Sequence, residues 1–364
     1  MRIPAAWRRF DVPLFIMALG LACVGLVLVY SSSHHSAAFA YLVWKQLLWL
    51  MLGLLALSLF YIVDYQSLIH SAYSFYVLEL LILVLLMLVG RQSTGGSARW
   101  FNLGLFYVQP SELAKLVLIL SLARYISEHD REIKSFWGLF PPLGLTVLMS
   151  FLILRQPDLG TAVVLLPIGF VMLMVAGARI WHLCSLLALG GALTPLMWHF
   201  MKDYQRRRWM SFLQPENDAL GAGYNAIQSR IAIGSGGFFG KGFLQGTQSQ
   251  LNFVPMHHTD FIFSVLAEEW GWLGCLAVLS LYLILLLRIV KISVNSKDLR
   301  GTLLGAGIVA MLCTQVVFNI GMTSGLLPVT GVTLPLLSYG GSSVITIMVC
   351  LGILLNIRRE SSGF

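Results

Sequence analysis

Apolar residues in this chain come in long runs, each near or above the roughly 18 to 20 residues needed to cross a hydrocarbon layer, with charged and turn-forming residues between them. Ten such windows are read, at 12–30, 41–62, 72–90, 111–127, 137–154, 159–177, 181–200, 260–287, 301–322 and 340–357. They predict an all-α polytopic membrane protein of about ten transmembrane helices. Gly, Pro, Ser and Thr concentrate in alternate connections, 91–110, 155–158, 201–259 and 323–339, so the irregular backbone gathers on one face. The connection 201–259, between spans 7 and 8, is predicted to be a large ordered outer loop within a single membrane domain, 1–364. No fixed-period repeat, low-complexity tract or ATPase module is read.

Charge sets the orientation. With the N-terminus inside, short inner segments would carry thirteen Lys and Arg residues and short outer ones three, Arg91, Arg99 and Arg155, once the long loop is left out. Both termini are therefore expected in the cytoplasm. Arg2, Arg8 and Arg9 ahead of Val12 to Tyr30 resemble a secretory signal, but the run is too long and lacks an obvious cleavage site. It is expected to remain as the first span. The formal charge of +8 reads as topology signal in a chain that is 57% hydrophobic and 11% charged, and no nucleic-acid partner is expected. Cys23, Cys184, Cys275, Cys313 and Cys350 all lie in apolar runs without a C-x-x-C pair, and read as small core residues.

In such a chain each ionisable group at the membrane boundary needs an explanation. LNFVPMHHTDFIFSVLAEEW, Leu251 to Trp270, sets His257, His258, Thr259 and Asp260 at the mouth of an apolar helix, with Glu268 and Glu269 two turns deeper. Asp260 and Thr259 could cap that helix. Alternatively, Asp260 is a partly desolvated carboxylate suited to act as a general base on a lipid-linked substrate. His257 and His258 lack further ligands at useful spacing, so no metal site is read. In QPSELAKL, Glu112 and Lys115 share one helix face and can pair, either holding helices together or serving a site. Lys45 and Glu79 look structural. Arg99, beside Trp100, can hold a lipid phosphate or anchor at the interface, and Arg206 to Arg208 read as attraction to anionic lipid. IGSGGFFGKGF, Ile233 to Phe243, fails the spacing of a phosphate loop and reads as a flexible, tightly turning loop over the membrane surface. Its Lys241 can still meet an anionic substrate.

Several of these stretches together resemble one family, the SEDS proteins (shape, elongation, division and sporulation) typified by RodA and FtsW. They are GGSARWFNLG, QPSELAKL, RQPDLGTA, the run from Gly221 to Gly271, and NIGMTSGLLPVTGVTLPLLSYGGSS from Asn319 to Ser343. The resemblance covers nearly the whole chain, and GTQSQL, Gly246 to Leu251, looks like the RodA branch that serves cell elongation. One departure is Met256, where the family usually has an acidic residue; His258, Thr259 and Asp260 still match.

The resemblance implies a peptidoglycan glycosyltransferase of the bacterial inner membrane, working on its outer face. A lipid-linked glycan strand would be donor and lipid II acceptor, with Asp260 as the base. Arg99 and Lys115 would neutralise the departing undecaprenyl diphosphate, with Glu112 positioning Lys115. His258, Thr259, Lys241 and Glu268 are the remaining candidate substrate contacts. Going from an α-linked diphosphate to a β-linked polymer inverts the anomeric centre, so one base suffices. A divalent cation such as Mg2+ or Mn2+ could share the diphosphate, though no dedicated site is read. A class B penicillin-binding transpeptidase and other membrane proteins of the elongation machinery are the implied partners. Two rival readings are a lipid II flippase, which would want a polar path through the full membrane thickness, and a noncatalytic scaffold, for which Asp260 would be dispensable.

Overall fold

The computed structural model describes residues 10–34, 39–89, 99–102, 104, 107–200, 203–217, 221–251, 253, 256 and 258–361. His257, Arg91, Arg2, Arg8 and Arg9 lie outside the described residues. Helices account for nearly all of the rest: α1 (Val12–Ser33), α2 (Phe39–Ile62), α3 (Tyr65–His70), α4 (Ala72–Val89), α5 (Pro110–Glu128), α6 (Phe140–Arg155), α7 (Leu159–Val175) and α8 (Ile180–Phe200). They continue as α9 (Asp203–Leu213), α10 (Ala222–Gly236), the single turn α11 (Thr247–Gln250), α12 (Ile262–Val294), α13 (Leu299–Thr323) and α14 (Gly341–Ser361). A two-residue hairpin, β1 (Phe101–Asn102) with β2 (Tyr107–Val108), pairs antiparallel ahead of α5.

Each of the ten apolar windows is a helix. Among the described residues six are long and apolar enough to cross a membrane: Val12–Ser33, Tyr41–Ile62, Trp137–Arg155, Ile262–Val294, Leu299–Thr323 and Gly341–Ser361. Ala72–Leu88, Leu159–Val175 and Ile180–Leu193 are shorter apolar helices. The remaining window, α5, is interrupted by Glu112, Lys115, Arg124 and Glu128. Helix starts follow their side chains. Asp11 accepts from Leu14 N at 3.1 Å, Asp158 from Thr161 N at 3.2 Å and Asp298 from Gly301 N at 2.9 Å, each satisfying a donor that the helix leaves open. The α13 and α14 helices form the centre of the core, with Leu303, Ile308, Met311, Ile347, Leu351 and Leu354 sealed from solvent.

The bundle has two polar ends. At one, Tyr339 N donates to His258 O at 2.9 Å and Gln109 N to Ser342 Oγ at 3.1 Å, joining the starts of α5, α12 and α14. At the other, Tyr65 donates to Asp298 at 3.0 Å, Arg300 to Gln66 at 3.1 Å and Asn356 to the Tyr61 carbonyl at 2.8 Å. Asp11 and Arg358, near the two described ends of the chain, meet at this second end.

The α12 helix is broken at Gly271, whose φ of 64° and ψ of −162° interrupt the ladder. The glycine-rich segment after α10 fills the break. Trp272 N donates to Gly237 O at 3.0 Å and Leu273 N to Phe238 O at 3.2 Å, while Lys241 N donates to Glu268 O at 2.9 Å and Gly242 N to Glu269 O at 3.0 Å. A Cβ on Gly236, Gly240 or Gly271 would overlap backbone atoms of the facing segment. The expectation of a flexible surface loop is thus corrected: these glycines allow two backbones to touch and exchange hydrogen bonds.

Candidate active site

Asp260 sits two residues ahead of α12, outside the span, which begins at Ile262 rather than at Asp260 itself. The Met256 carbonyl shapes the turn, accepting from Thr259 N at 3.1 Å, Thr259 Oγ1 at 3.1 Å and Phe261 N at 3.4 Å. No side chain caps α12 at Phe261, so neither Thr259 nor Asp260 is spent on capping. That leaves the Asp260 carboxylate at a helix N-terminus, where the macrodipole favours negative charge.

Its surroundings are built by four distant segments. Asn319, fully buried in α13, donates from Nδ2 to the carbonyls of Asp260 at 2.9 Å and Val332 at 2.7 Å. This draws the 330–332 segment against the turn, and a Cβ on Gly331, whose φ is +79°, would lie 3.4 Å from Asp260 Oδ2. Arg208, near the middle of α9, donates to Thr330 O at 3.3 Å. Arg99 donates from Nε to Gln156 O at 3.2 Å and from Nη2 to Pro157 O, which fixes its guanidinium over the start of α7. Asp158 beside it is saturated: Oδ2 accepts from Gln109, Ser111 and Thr161 at 3.0, 2.9 and 2.9 Å.

Burial pushes the Asp260 carboxyl from its usual 3.8 up to about 6; the Arg208 and then the Arg99 guanidinium pull it down, Asp158 pushes it up, and the Thr259 hydroxyl pulls it down. Loss of hydration outweighs the cations. A carboxylate so placed titrates just below neutrality, where it is largely ionised yet a stronger base than a hydrated aspartate.

Beside this turn opens a pocket of about 310 Å3, lined by Lys45, Trp49, Trp100, Tyr107, His258, Thr259, Tyr339, Gly340 and Gly341. Its aromatic walls and few polar groups suit an amphipathic ligand such as a sugar ring. A Cβ on Gly341 would overlap the Trp49 ring, so the glycine leaves room for that wall. Ser338 Oγ donates to Thr259 O at 2.6 Å and accepts from Leu334 N at 2.8 Å, tying the SYGG segment under the pocket.

The structure brings Asp260, His258, Thr259 and Arg99 to one end of the bundle. Glu112 and Lys115 pair at 2.8 Å near the start of α5, with side chains 8% and 2% exposed, and neither lines the pocket. Lys241 and Glu268 pair with each other at 2.8 Å, and Glu268 also accepts from Thr247 and from the backbone of Gln248 and Ser249. That second cluster lies two helical turns along α12.

Three residues escaped the sequence reading. Arg208 looked like one of three interchangeable surface arginines. Lys45, expected to be structural, lines the pocket with its ammonium 4.1 Å from the Tyr41 ring centre. Asn319 carried a signal, an amide in an apolar run, without a stated partner. Among the described residues no three His, Cys, Asp or Glu side chains come together. Among the described residues Asp158, already accepting from three side chains, belongs to no such group.

A family model described as "Cell cycle protein", that of FtsW, RodA and SpoVE, matches residues 12–363. The peptidoglycan glycosyltransferase MrdB of Escherichia coli K12 is 42% identical over 315 residues, covering 85% of each chain. Stage V sporulation protein E of Bacillus subtilis is 39% identical over 360 residues, covering 96% of this chain and 97% of that one. Among solved structures, a chain of a peptidoglycan synthase complex that coordinates polymerization and crosslinking superimposes with a TM-score of 0.84 at 36% identity, covering 98% of this chain and 99% of that one.

Proposed function

This chain belongs to the FtsW/RodA/SpoVE family, and from that premise we propose that the aromatic pocket beside Asp260 is where glycosyl transfer takes place. The protein is a multi-pass membrane peptidoglycan glycosyltransferase. The observation that carries the site assignment is a partly buried carboxylate that caps no helix, next in sequence to the pocket-lining Thr259 and under the pull of the Arg208 and Arg99 guanidiniums.

In the proposed reaction the growing lipid-linked strand is the donor and lipid II the acceptor. Ionised Asp260 takes the proton from the acceptor's GlcNAc 4-hydroxyl as that oxygen attacks the donor's anomeric carbon. The bond from that carbon to the diphosphate breaks, and undecaprenyl diphosphate leaves with inversion. Arg99 and Arg208 meet the charge that develops on the leaving oxygen. The aromatic walls hold sugar rings, and His258 and Thr259 orient the acceptor hydroxyl. Glu112 and Lys115 act from within, holding the first turns of α5 beneath Ser111 and Asp158. A divalent cation arriving with the diphosphate would add to the charge neutralisation that Arg99 and Arg208 provide.

The RodA branch, and hence cell elongation, is supported by the GTQSQL segment and the similarity to MrdB. The partner in this reading is a class B penicillin-binding transpeptidase within the elongation machinery, in keeping with the synthase complex. The Asp260 end faces outward and both termini lie in the cytoplasm of a bacterial inner membrane. Arginine and lysine asymmetry supports that orientation, as does the meeting of Asp11 and Arg358 at the far end.

The test is a gel assay of purified protein on labelled lipid II, with and without a cognate transpeptidase. A ladder of glycan polymers is expected. Folded protein that yields no ladder in either arm, on substrate that another polymerase consumes, would return the flippase and the scaffold to consideration.

A further inference from the structure

A buried amide in a membrane span is costly unless it is hydrogen-bonded. Gln46, early in the α2 span Tyr41–Ile62, is 4% exposed. Lys45 before it and Trp49 about one turn on both line the aromatic pocket. The Gln46 amide goes instead to the backbone ahead of α14: Nε2 donates to Ser338 O at 3.5 Å, and Oε1 accepts from Gly340 N at 3.4 Å.

These two bonds fall on either side of Tyr339. A primary amide carries a donor and an acceptor in one plane, and Gln46 uses both as the peptide unit of a neighbouring strand would. The other backbone donors of the turn are taken elsewhere: Leu337 N and Ser338 N donate to Leu334 O at 3.2 and 3.0 Å, and Tyr339 N to His258 O at 2.9 Å. Among the described residues Ser338 O and Gly340 N have Gln46 alone. Tyr339 is therefore held through its own N–H on the His258 side and through both sequence neighbours on the α2 side. Its ring lines the pocket and meets the His258 ring edge-on, with centroids 5.9 Å apart.

The two helices have other contacts to pack by. Further along, a Cβ on Gly53 would sit 3.0 Å from Met348 Cγ, a Cβ on Gly352 would come within 2.6 Å of Leu57 O, and Asn356 donates to Tyr61 O at 2.8 Å. The Asp260 turn likewise has its own supports in Asn319 and the Met256 carbonyl. Gly341 lies against the Trp49 ring, a contact without direction. The directional link between the pocket residues of α2 and the Tyr339 wall is Gln46.

We propose that Gln46 is a positioning residue for glycosyl transfer, which sets the Tyr339 wall to receive a sugar ring. This rests on the reading of that pocket as the transfer site. Gln46 acts on binding and not on the base, so its loss appears in KM.

The test measures initial rates over a range of lipid II concentrations for the full-length wild type, Gln46→Met, Tyr339→Ala and the double variant, with melting recorded on the same samples. Gln46→Met keeps the length of the side chain and removes both hydrogen bonds. Its KM should rise about fivefold, the scale of two long neutral hydrogen bonds, with kcat and its pH profile unchanged. Tyr339→Ala should raise KM by itself, and adding Gln46→Met to it should change nothing further. Gln46→Asn, which keeps the amide but is one carbon short of the turn, should give the same rise and serves if Gln46→Met does not fold. A wild-type KM in Tyr339→Ala would overturn the pocket reading and the proposal with it. Given a raised KM in Tyr339→Ala, three results would overturn the role of Gln46 and leave the pocket reading standing: a wild-type KM in the Gln46 variants, effects at the two positions that add, or a fall in kcat at constant KM.

Discussion

Replacing Glu268 by Gln separates two roles that the Lys241–Glu268 pair could play. Glu268 is fully buried and accepts from Lys241 Nζ at 2.8 Å, Thr247 Oγ1 at 3.2 Å, Gln248 N at 2.9 Å, Ser249 N at 3.1 Å and Ser249 Oγ at 3.2 Å. Glutamine keeps one acceptor oxygen and turns the other into a donor among donors. Removing one partner of a buried ion pair costs about 3–5 kcal/mol. Lys241, with its side chain 24% exposed, can turn to water, which discounts the loss to roughly 2–4 kcal/mol. The loss falls first on the loop that Glu268 holds, because Lys241, Thr247, Gln248 and Ser249, which donate to it, all belong to that loop. Hydrogen–deuterium exchange of peptides over 237–251 is the assay, and amides there should exchange about 30-fold to 1000-fold faster. Polymerisation should fall in step, since the same loop braces α12 below Asp260. Unchanged protection with lost polymerisation would refute this reasoning and place Glu268 and Lys241 on the substrate instead.

Because Asp260 must be ionised to accept a proton and its carboxyl is raised to about 6, turnover should climb with pH through that value. Arg208→Gln removes the larger cationic pull and should move the climb to higher pH, whereas Asp158→Asn should move it lower; initial rates on labelled lipid II across pH 5 to 8 read both shifts. Asn319→Leu fills similar space but releases the Asp260 and Val332 carbonyls. It should lower kcat at least tenfold with little change in KM, and an unaltered kcat would show that the turn holds itself. Gly240→Ala sets a Cβ against the Glu269 carbonyl at a φ of +81°, so strain of about 1–3 kcal/mol plus the clash should lower the melting temperature in detergent; a variant that melts with the wild type would contradict the close-packed loop.

Continuous apolar runs made the helical architecture readable, because a membrane span needs little beyond length and hydropathy. Asp260 was readable for the complementary reason, being an acid where acids are costly. What escaped notice depended on partners far away in sequence. Arg208 and Asp260 are 52 residues apart in sequence, and nothing in a run of three arginines says which one turns inward. The break at Gly271 lies inside an apolar stretch whose periodicity does not change, so only the facing glycines at 236 and 240, seen in place, explain it. The capping alternative for Asp260 fails because Phe261, not Asp260, occupies the boundary position. Lys45 looked like an isolated cation in a span because its relation to Trp100 and Tyr107 is made only when α2 meets the β1–β2 hairpin.

The most direct measurement is polymerisation of labelled lipid II by Asp260→Asn and Asp260→Glu beside the wild type, with melting recorded on the same samples. A folded-state carboxyl raised from 3.8 to about 6 gives stability that is present below about pH 4 and lost as pH rises through 6. At pH 7 the ionised group is a burden of roughly 3 kcal/mol that asparagine does not carry. The account predicts that Asp260→Asn melts no lower than the wild type at pH 7 yet makes glycan at least a hundredfold more slowly, with Asp260→Glu recovering part of the rate. Near-normal polymer from Asp260→Asn would contradict it.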